Sequence, residues 1–185
     1  MLLLHEGDSD FSQVSRDSRT LDSQAHHVII DARSIKPWVH YSLAEGKIVH
    51  PQYVSSLDWD LAFRRYHIIA NGGAINLAAK GGIRDLGPVK WGAVHAVPSS
   101  GYLFDTRTPS GTEVENLAIR HWYNYDYTTH ILTPMNHVYV IQSPKQDHYY
   151  LMRILNYYCP KGESGCLSFE YKQFIGDTPR IKKAL

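Results

Sequence analysis

From residue 26 onward the chain is a succession of short runs rich in Val, Ile, Tyr and Trp, nearly all closed by Pro, Gly or a polar turn. The runs are HHVIIDAR, WVHYSL, GKIVH, DWDLAFRRYHII, VKWGAVHAV, GYLFD, IRHWYNYDY, HVYVIQ, HYYLMRILNYY and CLSFEYKQF. No long stretch carries helical periodicity with caps at both ends. The pattern predicts an all-β, single-domain, largely antiparallel fold of sandwich or barrel-like type. Within DWDLAFRRYHII, an extended backbone puts Trp59, Leu61 and Phe63 on one face and Asp60, Ala62 and Arg64 on the other. Asp60 and Arg64 are therefore expected to form a solvated or inter-strand charge pair. The one helical exception is expected between Asn71 and Lys80, where AINLAAK allows a turn or two. Residues 1–25 are polar, rich in Ser, Asp, Arg and Gln, and aperiodic, and read as a disordered tether to a β domain over 26–185.

The charge balance removes one class of partner. With 19 basic against 18 acidic residues the formal charge is +1, so the chain lacks the basic face that nucleic acid or an anionic membrane requires. Arg180, Lys182 and Lys183 read as a solvated tail. No run approaches the ~18 apolar residues of a transmembrane segment. The glycine-rich stretch after the DWD run, NGGAINLAAKGG, lacks both GxxxxGK[ST] and GxGxxG and has no βαβ context, so it does not read as a phosphate cradle. Its glycines instead read as turns with positive φ and as close backbone approaches. GxSxG, HExxH and a Cys-His arrangement are missing as well, and the chain reads as a non-enzyme.

Cys159 and Cys166 flank Pro-Lys-Gly-Glu-Ser-Gly, a set of turn formers between two aromatic runs. A hairpin there would bring the two sulfurs close enough for a bridge, whose Cα atoms are typically ~5.5 Å apart. A disulfide is therefore expected, and with it an oxidising compartment.

Thirteen Tyr and eleven His stand out of the composition. In RHWYNYDYTTHILTP, an extended backbone places His121, Tyr123, Tyr125 and Tyr127 on one face. Such a stripe either packs as core and sheet surface or stacks on a porphyrin, whose iron takes His, Met or Tyr ligands. His130 follows in a Thr-Thr-His turn and is the first candidate for a metal ligand, with His95 and His121 behind it. His137, His148 and Met135 are lesser candidates, and His26, His27, His40 and His50 read as ordinary surface residues. CxxCH is missing, so any haem would be b-type and non-covalent.

The order of WVHYSLAEGKIV, LDWDLAFRRYHIIANGG, WYNYDY and HYYLMRILNYYCPKGESGCLSFEY resembles the HmuY family of bacterial haem-binding proteins, over roughly His27 to Phe174. The resemblance implies an all-β fold and export. It also implies frequent lipid anchoring at the outer membrane, capture of haem from host haemoproteins, and transfer to a TonB-dependent receptor. In members with two axial histidines, one lies shortly after the strand matching WYNYDY, which points to residues 127–130. The alternatives are a haem-free fold relative that binds an envelope protein or glycan through the same loops, and a zinc-binding protein using clustered His.

Overall fold

The structure is a computed structural model and describes residues 24–175. The tether, apart from Gln24 and Ala25, and the basic tail lie outside the described residues. A five-stranded antiparallel sheet holds β1 (His26–Asp31), β13 (Ser164–Gln173), β12 (Tyr149–Tyr158), β11 (Val138–Gln142) and β6 (Gly82–Asp85), in that spatial order. A four-stranded sheet holds β3 (Lys47–Val49), β2 (Val39–Ser42), β4 (Leu61–Arg64) and β5 (His67–Ala70). Two small ribbons complete the set: β7 (Thr106–Arg107) with β8 (Val114–Glu115), and β9 (Tyr123–Asp126) with β10 (Ile131–Pro134). The expected all-β, largely antiparallel architecture is what the described residues form.

The alternation of β11 and β12 explains why both read as nearly continuous apolar runs. Tyr139, Ile141, Tyr150, Met152 and Ile154 face the four-stranded sheet and meet Leu61, Phe63 and Ile68 in the main core. Val138, Val140, Tyr149 and Leu151 face the other way, into a second core with Val97, Tyr102, Leu86, Trp91 and Val94. A strand covered on both faces has no reason to alternate with polar residues. The same holds for β4 and β5, whose outer face is covered by Trp59, Trp38, Val49, Ile75 and Val114.

Five local expectations are corrected. DWDLAFRRYHII is not one strand: it folds back at Arg65-Tyr66 into the β4–β5 hairpin, with Arg64 paired to His67. Asp60 and Arg64 do not pair. Asp60 is buried and accepts the Leu43 N–H at 2.7 Å, while Arg64 pairs with Glu113 and lies 4.4 Å over the Trp38 ring. VKWGAVHAV forms a short 3₁₀ turn, Trp91–Ala93, and loop instead of a strand. Its Trp91, Val94 and Val97 recur every third residue and all cover the second core, a spacing that a strand's period of two cannot supply. GYLFD contributes an isolated bridge, Leu103 to Ile83.

Asn71–Lys80 contains no helix. The Asn71 amide donates to the Ser56 and Trp59 carbonyls at 2.8 Å each, and the Asn76 amide to Ser55 O and Asn71 Oδ1 at 2.9 Å each. Side chains committed to loop backbone in this way compete with helix formation. The paired glycines serve a crossing of two backbones: a Cβ on Gly72 would lie 2.2 Å from Gly81 O, and one on Gly81 would lie 2.4 Å from Asn71 O. Gly73, at φ +62, is pressed against Asp105. The glycine loop is thus a structural knot under β5.

Candidate ligand-binding site

The β9–β10 ribbon is a short hairpin lying over the end of β12. Asp126 sets its tip, with one carboxylate oxygen accepting the N–H groups of Thr128 at 2.7 Å and Thr129 at 3.2 Å. Those bonds hold the Asp126 carboxyl below the usual carboxylate range. His130 closes the turn in the left-handed region, φ 58, donating its N–H to Asp126 O at 2.8 Å.

The tip gathers several of the expected residues. The Tyr125 hydroxyl lies 2.5 Å from His130 Nδ1. Tyr125 and Tyr127 meet edge to face at 5.0 Å, and Tyr123 meets Tyr66 edge to face at 5.7 Å. Burial, with the neighbouring tyrosines, raises the Tyr123 hydroxyl above its ordinary pKa. Tyr127 is 84% exposed, Ile131 46% and Tyr125 37%, so an aromatic and aliphatic surface faces solvent around one imidazole. The continuous stripe expected from His121 to Tyr127 is shorter than predicted. Only Tyr123 and Tyr125 lie in the strand, Tyr127 begins the tip, and His121 sits in the turn before β9. Asn116 makes that turn, its carbonyl accepting the N–H groups of Ile119 and Arg120.

Tyr66 and His67 belong to the same aromatic group, their rings 4.3 Å apart. Burial, followed by the nearby Arg64 charge, lowers the His67 pKa below its usual value. Sequence reasoning missed both because the β4–β5 turn carries no Gly, Pro or Asn; Arg65 itself adopts φ 54.

The other candidates are dispersed. His95 is exposed in the loop after Trp91–Ala93. His137 has Nδ1 2.9 Å and 3.1 Å from the two Asp85 carboxylate oxygens. His148 lines a separate cleft with Asp60, Asp147 and Glu45. His40 is not the surface residue expected. It packs edge to face on Trp59 at 4.8 Å, its Nε2 is buried without a partner among the described residues, and burial lowers its pKa. Among the described residues, no three His, Cys, Asp or Glu side chains gather as a metal site, so the zinc reading finds no cluster there. The disulfide is present, Cys159 to Cys166, with Cα atoms 4.8 Å apart.

A family model described as HmuY protein matches residues 34–171. The chain belongs to the HmuY family. Solved structures share the HmuY-type fold. The apo form of a HmuY analog from Tannerella forsythia has a TM-score of 0.66 at 15% identity, covering 83% of this chain and 98% of its own. A proposed lipoprotein of Bacteroides fragilis has a TM-score of 0.62 at 21% identity, covering 80% and 90%. A proposed HmuY-like haem-binding protein of Bacteroides vulgatus has a TM-score of 0.61 at 22% identity, covering 81% and 92%. No curated protein matches the chain. Among the described residues, no helix of this HmuY-family chain is long and apolar enough to cross a membrane.

The donor set at the tip suits haem iron, which takes His, Met or Tyr axial ligands. In the tautomer that donates Nδ1–H to the Tyr125 oxygen, His130 Nε2 presents its lone pair. Histidines that ligate a metal are characteristically fixed through their other ring nitrogen in this manner.

Proposed function

We propose that this protein is a non-enzymatic haem-binding protein of the bacterial envelope, carrying haem b non-covalently on the β9–β10 hairpin. The observation that carries the reading is His130 at an exposed tip, held through Nδ1 by Tyr125 and surrounded by solvent-facing aromatic rings. Haem supplies a flat apolar macrocycle and an iron with axial positions. His130 would be the first ligand, His121 would be the candidate for a second, and Tyr123, Tyr125 and Tyr127 would pack the ring system. Family membership and the Bacteroides vulgatus neighbour support haem as the ligand. The disulfide and the Bacteroides fragilis neighbour support export, to the outer membrane surface or beyond it, where haem taken from host haemoproteins passes to a TonB-dependent receptor.

Hemin titration of the purified protein tests this. A saturable Soret shift at one equivalent is expected, and His130→Ala should change that spectrum. A flat titration would reject haem and favour a protein or glycan on the same hairpin. A wild-type spectrum in the variant would remove His130 from the iron.

A further inference from the structure

The hairpin is mounted on the closed end of the β12–β13 pair. β12 loses regular register after Ile154: its pairing shifts between Ile154 and Asn156 and again between Asn156 and Tyr158. Asn156 Oδ1 accepts the N–H groups of Tyr157 at 2.8 Å and Tyr158 at 3.2 Å. Irregularities of this kind re-aim side chains. Here Tyr157 is buried against Trp122, ring centres 6.0 Å apart, directly before β9. The Tyr158 hydroxyl accepts the Leu132 N–H at 2.8 Å, in the middle of β10. Both arms of the hairpin are thereby attached to consecutive residues of β12, and the next residue is Cys159.

The other side of the disulfide holds the rest of the aromatic group. Arg65 donates to Ser164 O at 3.1 Å and Ser164 Oγ at 2.8 Å. Its neighbour Tyr66 packs on Tyr123, and the Tyr66 carbonyl accepts Trp122 Nε1–H at 2.9 Å. Ser164 is two residues from Cys166. The turn enclosed by the disulfide is small and polar, with Cys159 N–H to Glu163 O at 2.8 Å and Gly162 N–H to Cys159 O at 2.8 Å, so the crosslink fixes Tyr158 opposite Ser164.

We propose that Tyr158 and the Cys159–Cys166 disulfide are positioning elements of the ligand site, which hold the β9–β10 hairpin and Tyr66 in the arrangement that binds ligand. Opening the disulfide takes two electrons and two protons from a thiol reductant, which is itself oxidised to a disulfide. The site is then loosened while the sheets stay folded. This rests on the haem reading for its ligand, but the mount itself is a property of the chain.

The full-length protein, Tyr158→Phe, and the double variant Cys159→Ala/Cys166→Ala are compared by amide hydrogen exchange, near-ultraviolet circular dichroism and hemin titration. Tyr158→Phe should keep the wild-type dichroism, speed exchange at Leu132 and across β9–β10, and weaken hemin binding about tenfold, the scale of one lost hydrogen bond. The double variant should show the same pattern. Unchanged exchange in the hairpin of folded Tyr158→Phe would overturn the proposal, whatever hemin does. Should the double variant fail to fold, Tyr158→Phe alone decides. If the wild type binds no hemin, the functional reading fails, and hairpin exchange still judges the mount.

Discussion

Asp105 is 2% exposed, with its carboxylate oxygens each 3.1 Å from the Ala70 N–H and one of them 2.9 Å from the Asn116 amide. Burial pushes its carboxyl up to about 7, and burial likewise pushes Asp60 up to about 6. Both values lie above the unfolded range of ~4. The folded chain therefore holds protons that the unfolded chain has released, so the stability from these groups is present near pH 4 and is lost as pH rises toward 7. His40 and His67 act oppositely: burial lowers both, so they cost stability as pH falls below ~6.5. Asp105→Asn isolates one contribution. The stability gap between wild type and Asp105→Asn should shrink as pH rises from 4.5 to 7.5, as read from urea midpoints at each pH. A gap independent of pH would show that the carboxyl does not titrate in that window. At the glycine crossing, Gly72→Ala should cost about 1–3 kcal/mol, the scale of an overpacked site, measured by the same denaturation. A Cβ at Gly87 meets nothing within 4 Å, but its φ of +76 makes it a control for backbone strain alone.

Among the elements, the hairpin depends on Trp122, which is 1% exposed and bonded through Nε1 to Tyr66 O. Trp122→Ala should cost about 3–5 kcal/mol and raise exchange across β9–β10 above that of the β11–β13 strands. Those strands were legible in the sequence because they are long, rich in β-formers and closed by turn chemistry, and the disulfide was legible from the same turn. The β4–β5 fold-back was not, because Arg65 takes a left-handed backbone without any residue that announces it. The Trp91 loop was not, because its apolar residues resemble a strand until their spacing is set against a specific face. The Tyr125–His130 pairing was within reach of sequence reasoning, since one hairpin contains both. The Tyr66–Tyr123 contact joins two hairpins distant in the chain, and only the tertiary fold brings them together.

For the whole molecule, the layering places the two sheets face to face around Phe63, Phe169, Tyr41 and Tyr171, with Phe63 and Phe169 stacked at 5.3 Å. The outer layers are loops and small ribbons, and the β9–β10 hairpin is one of these, carried at the end of the longest strand pair. This arrangement lets the loop surface vary without disturbing the central packing. One ladder has a further effect. Among the described residues β1 pairs with β13 alone, His26 opposite Tyr171 through Asp31 opposite Cys166, so the earliest described strand must wait for the latest. Closing such a distant contact is slow, and a nascent chain halted before Ser164 would leave Ile30 without its partner Leu167. Chains arrested there should remain protease-sensitive however long they are held, whereas release of the complete polypeptide should convert them to a resistant form in a single late step.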